Sequence, residues 1–289
     1  SQTEVSAFPP HFGPIWVAST PSFPIAEGPA AMRILLTNDD GIHAPGFAAL
    51  ERIARQLSDD LWFVAPAEEQ SGAGHSLTLN RPIRVRELGP RRFAVAGTPT
   101  DSVMMAVARI MKKTPPDLIL SGVNRGANLG EDVTYSGTAA AAMEGALAGI
   151  PSIALSQAYS REDIGHNVPF DAALKWGERV LRPLIKQSMD HRTLVNINFP
   201  AVMAKSVKGV RVVSQGIRDY GRLQIVSNRD PRGFDILPEG THGTSGFATK
   251  RELGEHLELG GVGEVTGMLL GRIKRHPDDP DRYSSYVAH

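Results

Sequence analysis

The strongest constraint on the fold is a set of short, unbroken apolar runs, most of them closed by turn-forming residues. Arg33-Ile34-Leu35-Leu36-Thr37 ends in Asn38-Asp39-Asp40-Gly41, and Leu61-Trp62-Phe63-Val64-Ala65 ends in Pro66. Leu118-Ile119-Leu120, Ser152-Ile153-Ala154-Leu155 and Leu194-Val195-Asn196-Ile197-Asn198 are further strands. A strand wetted on one face alternates apolar and polar residues. Most of these runs do not, so they predict strands covered on both faces. Between them the apolar spacing turns helical. Phe47, Leu50, Ile53, Ala54 and Leu57 share a face, Thr138–Leu147 is an alanine-rich helix stopped by Gly149 and Pro151, and residues 170–187 form another. Pro99 suits a first helical turn, with Thr98 or Asp101 as cap, and Gly89-Pro90 separates the two arms of a hairpin over 81–96. Buried strands alternating with helices predict an α/β fold, a Rossmann-like, doubly wound, mostly parallel sheet.

Composition narrows the function classes. With 289 residues, the chain has room for one or two domains at roughly 150 residues each. There is no cysteine, which excludes disulfides, thiolate zinc sites and a cysteine nucleophile, so any metal is held by oxygen or imidazole. Lys+Arg and Asp+Glu are both 31, without the basic excess of a nucleic-acid binder, and no nucleic-acid partner is expected. The most apolar stretch, Thr138–Leu155, contains Glu144 and Pro151 and predicts helix–turn–strand rather than a membrane span. Residues 1–31 hold no Lys or Arg, unlike a secretory or transit signal, and are expected to be a flexible leader. The α/β catalytic core is expected over 32–208. Residues 209–272 are glycine-rich and less periodic, and predict an appended hairpin or oligomerisation arm, with a disordered tail over 273–289.

Ligands of an open α/β sheet gather outside the carboxyl ends of its strands, so the residues following each strand carry the chemistry. The first strand delivers Asp39 and Asp40. Two carboxylates about 4 Å apart repel by roughly 4 kcal/mol at an effective dielectric of 20, a conflict that a divalent cation removes. Ser71-Gly72-Ala73-Gly74 offers a hydroxyl and backbone N–H groups, with Gly72 placed to meet an anion, and His75 stands beside it. Asn124 offers an amide oxygen to a hard cation. Ser136-Gly137-Thr138 opens a helix, where free N–H groups and the helix dipole favour phosphate. Each segment also has a plain reading as turn, loop or helix cap. What favours chemistry is their joint placement after separate strands, which yields an oxygen-only, anionic cage beside a phosphate cradle.

Arg33–Gly46, Ser71–Thr78, Gly97-Thr98-Pro99-Thr100-Asp101, Ser121–Gly130 and Tyr135-Ser136-Gly137-Thr138 together resemble the SurE family of survival-protein nucleotidases, in a single order from Met32 to about Gly221. The resemblance implies metal ligands at Asp39, Asp40, Ser71 and Asn124, and one divalent ion, Mg²⁺ or Mn²⁺ with Ca²⁺ as a third candidate. It implies hydrolysis of nucleoside 5′- and 3′-monophosphates, with some action on short polyphosphate, in a cytoplasmic homodimer or tetramer that exchanges a C-terminal arm. Asp39, Asp40 and Asn128 are expected to be catalytic, with water activated by the ion as nucleophile. Gly72, Asn128, Ser136, Gly137 and Thr138 are expected to hold phosphate. The chain departs from the family pattern after Gly240-Thr241, where the usual ending is not found.

Three rivals fit less well. An aspartyl-phosphate phosphatase usually places its two Asp one residue apart, whereas Asp39 and Asp40 are adjacent, and no partnering Lys is evident at later strand ends. A receiver module needs a phosphoacceptor Asp after a central strand, where this chain has Ser121 and Asn124. A dinucleotide-binding protein needs a Gly-x-Gly-x-x-Gly turn after its first strand.

Overall fold

The computed structural model describes residues 32–159, 170–187, 189, 192–213, 215–216, 228–229, 235–236, 264–270, 273–276 and 279–285. The expected leader over 1–31 and most of the expected arm lie outside them. Strands β1 (Ile34–Thr37), β2 (Leu61–Pro66), β4 (Arg92–Val95), β5 (Leu118–Arg125), β6 (Ser152–Gln157) and β7 (Leu194–Phe199) run parallel, and β3 (Val85–Gly89) closes one edge antiparallel to β4. Among the described residues the sheet has nine strands, and with β8 (Gly209–Val212) and β11 (Glu264–Leu270) at its far side their order is β3-β4-β2-β1-β5-β6-β7-β11-β8. The added edge consists of β11, antiparallel to β7, and β8, parallel to β11.

Two helices cover each face. Helix α1 (Pro45–Ala54) and α4 (Asp171–Ile185) bury Phe47, Leu50, Ile53, Val180 and Leu181 against Leu36, Leu120, Leu155 and Ile197. Helix α2 (Pro99–Met105) and α3 (Gly137–Leu147) bury Val103 and Ala141 against Leu35, Val64 and Ile119 on the other face. Covering on both faces is why β1, β5 and the first part of β7 lack polar alternation. The chain winds outward from β1 through β2 to β4, and from β5 through β6 to β7 in the opposite direction. The switch in winding falls between β1 and β5, the position at which open α/β sheets bind ligands, outside the carboxyl ends of the strands.

Some boundaries differ from the sequence expectations. The strand expected to end at Leu120 continues to Arg125, because after a register shift Asn124 and Arg125 pair with Ser156 and Gln157 of β6. Asn124 is therefore a strand-end residue rather than a loop residue. Within the segment expected to be an appended arm, β8 and β11 join the main sheet, while β9 (Asn228–Arg229) and β10 (Asp235–Ile236) pair with each other. The tail expected to be disordered carries an antiparallel pair, β12 (Ile273–His276) and β13 (Asp279–Ser285). Charged and proline-rich sequence masks strand periodicity there, since a two-stranded ribbon need not bury a face. Among the described residues no helix is long and apolar enough to cross a membrane.

Candidate metal and phosphate site

The turn after β1 is shaped locally. Asn38 Nδ2 donates to the Gly41 carbonyl at 2.8 Å, and Gly41 takes φ of +99°, a region open to glycine. This turn brings Asp39 and Asp40 to the switch point. Asp39 is 4% exposed. Burial raises its pKa most, Glu69's charge adds to that, and hydrogen bonds from Thr138 and the backbone oppose it. Burial and then the charge of Asp39 raise Asp40 from an ordinary 3.8 to about 7. Among the described residues, neither carboxylate has a salt bridge to a Lys or Arg side chain. Asp39 is buried and Asp40 half-buried, and two adjacent acids held this way without a salt bridge repel one another, the condition that a divalent ion relieves.

Three other segments close on the pair. The Gln70 N–H donates to the Asp39 carbonyl at 2.8 Å, which brings Ser71 alongside. Ser71 Oγ donates to Glu69 Oε1 at 2.7 Å, a bond that leaves its lone pairs for other partners. The Arg125 N–H donates to Asp40 Oδ2 at 3.3 Å, bringing the end of β5, and with it Asn124, to the second carboxylate. Asn124 is 7% exposed and donates from Nδ2 to the Gly126 carbonyl at 2.9 Å. The start of α3 presses on Asp39 from the opposite side, where a Cβ on Gly137 would stand 2.7 Å from Asp39 Cβ. Only glycine permits that approach. Ser136 caps α3 by accepting from the Ala139 N–H at 3.0 Å, and the Thr138 hydroxyl donates to Asp39 Oδ1.

The family comparison matches the same region. The family described as Survival protein SurE matches residues 34–222. The chain belongs to the SurE family. It is 70% identical over 204 residues to the 5′-nucleotidase SurE of Rhizorhabdus wittichii, spanning 71% of this chain and 80% of that one. Over the same length it is 64% identical to the 5′-nucleotidase SurE of Erythrobacter litoralis, again with 71% and 80% covered. The crystal structure of the SurE protein from Aquifex aeolicus is similar with a TM-score of 0.65 and 35% identity, over 82% of this chain and 92% of that one.

In this SurE-family chain the remaining expected residues fall into separate places. Gly72 is exposed, with φ of +76° and nothing within 4 Å of where a Cβ would stand. Asn128 is 2% exposed and is held by β6 and β7: its Nδ2 donates to Ser156 Oγ, and its N–H to Asn198 Oδ1, each at 2.8 Å. Among the described residues no hydrogen bond joins Asn128 to Asp39 or Asp40. Thr98 and Asp101 form a capping box for α2, the plain reading of that segment. His75 pairs with Glu144 of α3 at 2.9 Å, and His43 is exposed. Sequence reading passed over Glu69, Ser156, Asn196 and Asn198. The two asparagines carried a visible signal, polar residues recurring every second position in an otherwise apolar strand.

Proposed function

We propose that the chain is a divalent-metal-dependent nucleotidase that hydrolyses nucleoside 5′- and 3′-monophosphates to nucleoside and phosphate, and extends to short polyphosphate. The observation that carries this reading is the adjacent Asp39–Asp40 pair at the switch point, both acids raised above their ordinary pKa, with the N-terminus of α3 packed directly against Asp39. The names of the relatives, 5′-nucleotidase SurE, support the substrate class. Asp39, Asp40, Ser71 and Asn124 would hold one ion, Mg²⁺, Mn²⁺ or Ca²⁺, through oxygen donors only, the set that hard cations prefer. Such an ion supplies charge neutralisation at phosphate and acidifies water.

The chain's own groups do the rest. Glu69 accepts a hydrogen bond from the Ser71 hydroxyl, so the hydroxyl oxygen turns its lone pairs to a cation. Thr138 donates to Asp39 and keeps that carboxylate oriented. In the first turn of α3 the Ala139 N–H is taken by Ser136 and the Thr138 N–H by Asp39, so the Gly137 N–H is the group assigned to phosphate oxygens. Gly72 and Asn128 are assigned to phosphate in the same reading. A cytoplasmic homodimer or tetramer is the assembly that the family resemblance implies.

The test is phosphate release from a panel of 5′- and 3′-nucleotides and short polyphosphate with Mg²⁺, Mn²⁺ or Ca²⁺, against a chelator control. Metal-dependent release from nucleotides is expected. Equal release in chelator, or none from any nucleotide, overturns the reading.

A further inference from the structure

Asn196 and Asn198 are 0% and 3% exposed, in a strand whose other residues, Leu194, Val195, Ile197 and Phe199, are core. Buried amides in a parallel strand are costly unless their hydrogen bonds are met. Asn198 Oδ1 accepts from the Asn128 N–H at 2.8 Å, and its Nδ2 donates to the Asn128 carbonyl at 3.1 Å. Asn196 Nδ2 donates to the same carbonyl at 2.8 Å. The backbone of Asn128 is thus held at both polar atoms by side chains, where a neighbouring strand would ordinarily supply backbone. An amide side chain can meet a donor and an acceptor together, which an apolar side chain cannot do.

The clamp is continuous with the candidate site. Asn198 is the register partner of Ser156, and Ser156 that of Asn124. One polar row therefore runs across the ends of β7, β6 and β5, from the clamp to the proposed metal donor. The loop between Asn124 and Asn128 is also tied at its near end, where the Gly126 N–H donates to the Gln157 carbonyl at 2.9 Å.

The geometry points to Asn198, assisted by Asn196, as a positioning residue for the reaction: the pair fixes Asn128 and the loop that leaves Asn124, the proposed metal donor. This rests on the nucleotidase reading above. It assigns β7 a part in the site, which otherwise draws on β1, β5, the loop after β2 and α3.

The experiment uses the full chain with Asn198→Ala and, separately, Asn196→Ala. Four readouts are taken: steady-state kinetics on a nucleoside 5′-monophosphate, inhibition by inorganic phosphate, Mn²⁺ affinity by calorimetry, and hydrogen exchange at the Asn128 amide. Asn198→Ala is expected to lower kcat/KM by about 10- to 100-fold, the scale of a misplacement near 1 Å. Phosphate inhibition weakens in step, the Asn128 amide exchanges faster, and Mn²⁺ affinity stays within about threefold, because Asp39, Asp40 and Ser71 lie on other segments and Asn124 keeps its pairing with Ser156 of β6. Asn196→Ala gives a smaller loss of the same kind, since the Asn128 carbonyl keeps the Asn198 donor. A variant that melts earlier yet keeps wild-type kcat/KM and phosphate inhibition has lost a structural residue only, and overturns the inference. If Asn198→Ala does not fold, Asn196→Ala decides by the same criteria. A wild-type chain inactive on every nucleotide overturns the nucleotidase reading instead, and the clamp is then judged by phosphate binding and Asn128 exchange.

Discussion

The carboxylate corner over β1 and the asparagine corner over β7 sit at the carboxyl ends of parallel strands of one mixed sheet, and they differ in the kind of polar group they hold and in what it bonds. At the first, burial pushes Asp39 and Asp40 toward their neutral forms, with no cationic side chain paired to either among the described residues. At the second, Asn198 bonds the Asn128 backbone through both amide atoms and Asn196 through its Nδ2, while the Asn196 Oδ1 has no partner among the described residues. Charge left unsatisfied in a protein is capacity for a ligand, and a bonded amide network is rigidity. One corner is suited to receive an ion and the other to hold a loop still.

The sharpest way to break that contrast is to remove a charge from the first corner. Asp40→Asn is expected to abolish turnover and to cost more metal affinity than the roughly 10–100-fold lost with an outer-sphere partner, while the fold is kept. Calorimetry with Mn²⁺ checks it, and wild-type turnover at limiting metal would refute the assignment. Thr138→Val comes next. Loss of a hydrogen bond to a charged group costs about 1.5–3 kcal/mol, so turnover falls about 10- to 100-fold. Because Thr138 donates to Asp39, metal affinity falls too, in contrast to Asn198→Ala. The same calorimetry on both variants separates the corners.

Protonation gives a third, smaller effect. The folded chain holds the Asp40 proton up to about pH 7, against an ordinary carboxylate value of 3.8. The folded state therefore binds more protons than the unfolded one between these values, and metal-free stability falls as pH rises through this window. Asp40→Asn removes that component and is expected to melt higher than wild type above pH 7 in chelator. Melting curves from pH 4 to 8 on both proteins check the sign.

The smallest effect belongs to a polar group outside both corners. Burial acts to raise Asp101, but hydrogen bonds from Thr78 and Thr98 outweigh it and leave its pKa lowered. Its contribution is present above the ordinary carboxylate pKa and is lost as pH falls below it. Asp101→Ala is expected to cost about 1 kcal/mol of stability, as for loss of a helix cap, with metal affinity unchanged. Chemical denaturation measures the first and calorimetry the second.

Much of the core was legible because strand and helix periodicities are local. Runs such as Leu118-Ile119-Leu120 and the helical spacing of Phe47, Leu50 and Ile53 predict their elements from neighbours a few residues away. The candidate donors were legible for a related reason, since an α/β sheet collects whatever follows its strands at one edge. The end of β5 was not, because Ser121-Gly122 reads as a turn and only pairing with β6 keeps the chain extended to Arg125. The placement of β11 between β7 and β8 was equally hidden, since nothing local to 264–270 names its neighbours.

From its own order of residues the chain set its α/β class, the Asp39–Asp40 pair and the segments able to surround it. Tertiary structure alone decided which of those segments touch. Thr138 reaches Asp39 across 99 positions of sequence, and Asn128 reaches Asn198 across 70. Those partners meet only because parallel strands and their crossover helices return distant strand ends to one edge. A hydrogen bond depends on separation in space to within a few tenths of an ångström, and spacing along the chain carries no such information.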